Sequence, residues 1–383
     1  MDKQRKERNG KIEFFRFVFS VIIILFHCNR ILGNGGSKDG YELGMFPRGY
    51  IGVEFFYFVS GYLMANSLFQ SQEEKKSLPF DREYWKFLWG KLLPILPYHL
   101  LAFCVLFIQD WFFKEYSIFK AAMSFLYELP GLFFLQKAGF DGCRLNTVEW
   151  YISAMLLAMA VIYPLCKKAF DTYSGVVAPL SAIFVMGWIF FSCGAMSGAS
   201  RKMPLELGYV CLFRAFAEIN LGIFAFRAAR VLKRERWSQR ERMVLSAIEW
   251  SGYAVAVLFS LFAVPIRYEL IPLFCLLVSV TLTFSQVSYN DRVWNHQVIY
   301  FLGKCSLVFY LNQLSAIYFV QRYASGWTLI GQGVGVLFIT AAVSFISMKV
   351  GELWLARIRR SHFHHMIMGL GMQQNTEDSQ GAQ

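Results

Sequence analysis

The apolar residues come in uninterrupted blocks of about 17 to 23, separated by short polar breaks, and a helix needs ~20 such residues to cross ~30 Å of hydrocarbon. Reading these blocks between their breaks predicts spans at 12–29, 49–70, 92–113, 148–166, 176–193, 209–226, 244–264, 269–286, 300–320 and 327–348. Helices are required, because lipid leaves an open backbone without hydrogen-bond partners. The pattern therefore predicts an all-α, polytopic integral membrane protein with about ten transmembrane helices. One further apolar stretch, 118–136, is broken by Lys120, Glu128 and Pro130, and is expected to be an interfacial or re-entrant helix on the outer side.

Composition agrees, with 56% hydrophobic and 17% charged residues in a chain of 383, where soluble domains carry roughly 25% charge. The net charge of +12 has its basic residues mainly in the breaks, so it reads as a topology signal and not as a nucleic-acid footprint. With the N-terminus inside, the cytoplasmic breaks hold about twice as many Lys and Arg as the outer ones, which predicts an N-in/C-in arrangement. Arg16 within the first apolar block, and the lack of a small-residue cleavage pattern after it, argue for a retained span over a removed signal. Residues 1–360 are expected to form the membrane domain and 361–383 a polar, disordered cytoplasmic tail. Eight scattered cysteines without C-x-x-C spacing suggest packing residues, with no zinc site or disulfide framework, and no bound cofactor or metal is expected.

Ionisable groups inside the blocks are the candidate chemistry. Arg16 and His27 share one face of the first span, ~16 Å apart along its axis. Such groups cost about 2.5–3.5 kcal/mol each in hydrocarbon, so a polar interior is expected around them. Arg16 alone could reach cytoplasmic headgroups, and His27 alone could bond a neighbouring helix. The second span, from Gly52 to Gly61, adds Glu54 and Ser60. Gly52, Phe56 and Ser60 fall on one stripe, expected to allow close approach of a neighbour, and Glu54 is expected at a depth similar to His27, placed to orient the imidazole as a general base. Arg214 and Glu218, at i and i+4, are expected to neutralise one another. Glu249 lies near a predicted membrane end, where water is within reach, and His362, His364 and His365 form a surface tract.

The Arg16-to-His27 spacing followed by the Gly52-Val-Glu-Phe-Phe-Tyr-Phe-Val-Ser-Gly61 segment resembles the bacterial membrane acyltransferase family 3, whose members O-acylate surface glycans and related acceptors. Lower-specificity echoes run in order along the chain: Lys91-Leu-Leu-Pro94, Trp150-Tyr-Ile with Tyr163-Pro164, Arg214 with Gly222, and Gly303 to Ser306 with Tyr310-Leu311. The chain departs from the pattern at Lys91 and Leu88, where the family often has arginines, at Gln313, where it often has histidine, and at Trp150 to Met155, where it often reads Trp-Ser-Leu-x-x-Glu. The resemblance implies an O-acyltransferase, most simply an O-acetyltransferase, of the bacterial cytoplasmic (inner) membrane. It would take an acyl group from cytoplasmic acyl-CoA, with acetyl-CoA as the expected donor, to a hydroxyl of an extracytoplasmic glycan or lipid-linked saccharide. His27, Arg16 and Glu54 are then the expected catalytic residues. Lys86 and Lys91, with Arg16, are expected to bind the donor, and Ser60, Trp150 and Arg214 to support the site or the acceptor. The same buried ions also suit a transporter or flippase for a lipid-linked sugar or small anion, although no two-half internal repeat is apparent.

Overall fold

A computed structural model describes residues 8–33, 45–73, 79–138, 145–196, 198, 201–204, 207–289, 291–361, 364 and 366. Most of the predicted tail, as well as Lys3, Arg5, Lys6, Lys38, Lys75, Lys76 and Arg144 among the basic residues of the polar breaks, lies outside the described residues. The helices are α1 (Gly10–Leu32), α2 (Gly52–Glu73), α3 (Phe80–Leu92), α4 (Leu96–Lys114), α5 (Ile118–Leu132), α6 (Trp150–Lys168), α7 (Phe170–Thr172), α8 (Ala178–Cys193), α9 (Val210–Arg234), α10 (Gln239–Leu261), α11 (Leu270–Ser285), α12 (Gln297–Tyr323) and α13 (Leu329–Arg359). A π-helical segment, Tyr173–Val177, joins α7 to α8. An isolated strand-like bridge pairs Lys202 with Tyr209.

A long helix lies at each of the ten expected positions, and seven helical segments are apolar and long enough to cross a membrane. The three helices outside that set, α2, α9 and α12, are the ones that carry Glu54, Arg214, Glu218, Asn312 and Gln313 into the interior. Helix ends overrun the apolar blocks: α9 continues to Arg234 and α13 to Arg359, because Lys, Arg and Glu are good helix formers that keep the backbone ladder going after the hydrocarbon has ended. The 118–136 stretch forms α5, capped by Ser117, whose side chain accepts from Lys120 N. At 15 residues it is short for a span; Ala121, Glu128 and Gly131 turn inward while Ile118, Phe119 and Leu126 are exposed.

α12 lies alongside α1 and runs in the same direction. Gly10 N donates to Asn295 Oδ1 at 3.0 Å, Gly303 packs against Glu13, Ser20 Oγ donates to the Ser306 carbonyl at 3.2 Å, and His27 meets Gln313. α2 runs the opposite way beside α9, and the two backbones touch where Gly61 faces Ile219 and Gly222 faces Phe58. A Cβ on either glycine would strike the facing carbonyl, so the crossing needs both. The close approach to α9 is thus made by Gly61, while Gly52 of the predicted stripe packs closely on α1, against Phe19 and Ile23. At the Gly10 end, Lys11 Nζ bonds both oxygens of Glu249, at 2.9 and 3.1 Å, and Thr283 donates to the same carboxylate at 2.6 Å. Glu249 is fully buried in this pair, which corrects the expectation that it reaches water.

Candidate functional site

His27 stands in the last two turns of α1, half-buried, with Nδ1 2.8 Å from Gln313 Oε1 on α12. Gln313 Nε2 in turn donates to the Tyr310 carbonyl at 2.7 Å. That second bond fixes the amide: its nitrogen is used within α12, so its oxygen must face the imidazole and accept. Nδ1 therefore carries the proton, and Nε2, which bonds to no described residue, keeps an unshared electron pair. A neutral histidine held in this tautomer can take a proton or attack an electrophile.

Arg16 lies three turns below on the same continuous helix, ~16 Å away by helical rise. Its guanidinium touches Glu13 Oε2 at 3.4 Å, its only side-chain hydrogen bond among the described residues, and remains 31% exposed. Most of its planar fork is thus available to an anion. α6 brings Tyr151 and α2 brings Tyr57 into the same interior, with ring centroids 4.8 Å apart. Ser60 Oγ lies 3.3 Å from Met155 Sδ, and Tyr310 closes the cluster at 5.7 Å from Tyr151. Trp150 opens α6 with its ring edge-on to Tyr151 at 6.5 Å.

Glu54 is not beside His27. The chain returns from α1 through a short 3-10 turn, Gly49–Ile51, so that Gly49 packs closely on Ile22 and Phe26 and Gly52 faces Phe19 and Ile23. Glu54 therefore enters about two turns deeper than His27, where Phe55 and Phe19 have ring centroids 4.9 Å apart. There its carboxylate meets Arg214, whose Nη2 donates to Glu54 while Nε donates to Glu218 at 2.8 Å. All three side chains are at most 3% exposed. The expected orienting role of Glu54 thus falls to Gln313, and Glu54 joins Arg214 and Glu218 in an ion triad that ties α2 to α9.

Lys86 and Lys91 lie on α3 at the Gly10 end, on a helix with no buried residue. Glu83 anchors α3 to α6 through Lys167 and Tyr163 and to α2 through Ser71; its burial favours the neutral acid, but hydrogen bonds from Lys167 and Ser71 outweigh it and hold the carboxyl below its ordinary range. Lys91 Nζ lies 5.5 Å from the Phe87 ring centroid. His364, the described member of the expected surface tract, is buried and accepts from Trp89 Nε1 at 3.1 Å.

A second buried histidine was not anticipated. His99 on α4 bonds Glu149 Oε1 through Nδ1 at 2.8 Å and the Leu132 carbonyl through Nε2 at 3.1 Å. Asn146 Nδ2 donates to the same carboxylate oxygen at 2.8 Å. With a partner on each nitrogen, His99 serves to tie α4 to the end of α5 and to the Thr147–Glu149 turn that precedes α6. His27 and Arg16 are the ionisable pair on one face with unfilled capacity.

A family model described as an acyltransferase domain matches residues 9–349. Neither the curated proteins nor the solved structures compared with the chain include a match.

Proposed function

Because the chain belongs to acyltransferase family 3, a family of membrane acyltransferases, we propose that it is an O-acetyltransferase moving acetyl from cytoplasmic acetyl-CoA to a hydroxyl of an extracytoplasmic glycan or glycolipid. The observation that carries this reading is His27, held by Gln313 with Nε2 unoccupied, above an Arg16 whose fork is largely unfilled. In the reaction, His27 Nε2 takes the proton of the acceptor hydroxyl, the new C–O bond forms at the acyl carbon, the thioester C–S bond breaks, and the proton leaves with the CoA thiol. Arg16 binds the anionic donor or the oxyanion that develops at the thioester carbonyl. Lys86 and Lys91 meet CoA phosphates as mobile point charges from the surface of α3.

The division of labour along α1 has a direct test. Arg16→Lys keeps the charge but loses the two parallel bonds a guanidinium makes to an anion, so it is expected to weaken acetyl-CoA binding or turnover. His27→Ala is expected to leave acetyl-CoA affinity nearly unchanged and to block delivery. Acetyl-CoA affinity and single-turnover transfer in purified protein decide it; loss of donor binding in His27→Ala with both functions intact in Arg16→Lys overturns the assignment. Acetyl-CoA-independent flux of a lipid-linked sugar in vesicles would favour transport.

The reading also needs ten crossings with both termini in the cytoplasm of a bacterial inner membrane. Its support is the helix directions: α1 and α12 run parallel, and α2 and α9 run against them. Single cysteines at Arg236 and Arg201, on a background without accessible native cysteines, are expected to react with an impermeant reagent in intact cells only at 201. Labelling at 236 alone reverses the topology.

A further inference from the structure

A cavity of about 1010 Å³ opens between the ends of α4 and α12 and the inner face of α5. It is at the Leu32 end of α1, because α12 runs parallel to α1 and its residues 318–322 lie beyond Gln313. Gln109 in its wall donates to the Ser315 carbonyl at 3.0 Å, two residues from the glutamine that holds His27. The volume is at the upper end of the ~300–1,000 Å³ that holds drug-sized ligands.

Its lining alternates flat rings with hydrogen-bonding side chains: Phe113, Tyr116 and Tyr318 stand among Gln109, Ser124 and Gln321. Such a surface suits sugar rings, whose C–H faces pack on aromatics while their hydroxyls find amide and hydroxyl partners. The charges are not balanced. Lys114 is paired with Asp110 at 2.7 Å, and Glu128 is used by Leu145 N at 3.1 Å. Lys120 and Arg322 meet only rings, Tyr116 at 4.5 Å and Phe113 at 5.8 Å, and no carboxylate among the described residues. Three cations against two carboxylates in the lining leave an excess of positive charge, which favours an anionic group. The far side of α5, meanwhile, is apolar and outward-facing, with Ile118 at 80% and Phe119 at 77% exposure. One wall of the cavity is thus a helix whose other face is apolar and exposed.

We propose that this cavity is the acceptor site, and that it takes a saccharide joined through phosphate to a lipid carrier, with the sugar among Tyr116, Tyr318 and Gln321, the phosphate at Lys120 and Arg322, and the chain along α5. This rests on the acyltransferase reading for the word acceptor, but not for the binding. The test is photocrosslinking from a benzophenone amino acid at Gln321 in the full-length protein in its native membrane, with adducts identified by mass spectrometry. A matched probe at Phe184, a lipid-facing position on α8, reports ordinary phospholipid. The expected adduct at 321 contains sugar, phosphate and lipid, falls at least fivefold in Lys120→Ala/Arg322→Ala, and survives His27→Ala. An adduct of phospholipid without sugar, of sugar without lipid, or none, overturns the proposal. Survival of the adduct in a His27→Ala protein that still transfers acetyl would instead overturn the role of His27 and leave the site standing.

Discussion

His27→Ala is expected to reduce acetyl transfer by ~10²–10⁴-fold, the range for losing a general base, while the protein still inserts and folds. Folding should survive because the imidazole is held by a single bond, to Gln313, in a helix that packs on α12 through Gly10, Gly303 and Ser20 as well. The companion variant is Gln313→Leu. It removes the acceptor that fixes Nδ1–H, so the ring turns and either nitrogen can carry the proton. Turnover should fall by less than in His27→Ala, with acetyl-CoA affinity unchanged, and Gln313→Glu, which returns an oxygen at the same reach, should restore part of it. A purely structural Gln313 would instead lower the yield of folded protein and leave turnover per folded molecule alone. Near-normal transfer by well-folded His27→Ala would exclude the proposed chemistry.

The apolar blocks made the helices legible because hydrocarbon imposes a minimum length and forbids charge, so the positions of α1, α4 and α10 follow from composition alone. Where helices stop was not legible, since hydropathy reports the edge of the membrane and not the end of a backbone ladder; α13 runs to Arg359 on residues that favour helix in water. Arg16 and His27 were legible from spacing, which within one helix is geometry. Partners between helices were not. The pairing of Glu54 with His27 assumed that α2 starts level with the end of α1, whereas the Gly49–Ile51 turn first packs back against Ile22 and Phe26. Gln313 stood out in the sequence only as a departure from a family pattern, and its role depends on α12 running parallel to α1. His99 and Glu149 are separated by 50 positions with no periodic relation, and only the approach of α4 to α6 unites them.

Arg214→Leu is expected to cost more stability than any other single change considered, because it leaves two buried carboxylates facing each other with no cation. Glu54 is 1% exposed and Glu218 is fully buried, so water cannot replace the guanidinium. Removing one member of such a buried ion cluster typically costs about 3–5 kcal/mol, a large share of the ~5–15 kcal/mol that holds a domain together. The triad also fixes a crossing with no slack. Gly61 and Gly222 bring the α2 and α9 backbones together two turns further along, and repulsion between Glu54 and Glu218 would pry that contact open. Arg214→Lys should be intermediate, since one ammonium cannot copy a fork whose Nε and Nη2 address different carboxylates. The decisive comparison is Arg214→Leu with and without Glu54→Gln and Glu218→Gln, followed by thermal unfolding in detergent and by the yield of monodisperse protein. Neutralising both acids should recover most of the lost stability, because the penalty comes from the uncompensated charge and not from lost volume. If Arg214→Leu unfolds at the wild-type temperature, the triad does not hold α2 to α9, and Arg214 then becomes a candidate for binding substrate.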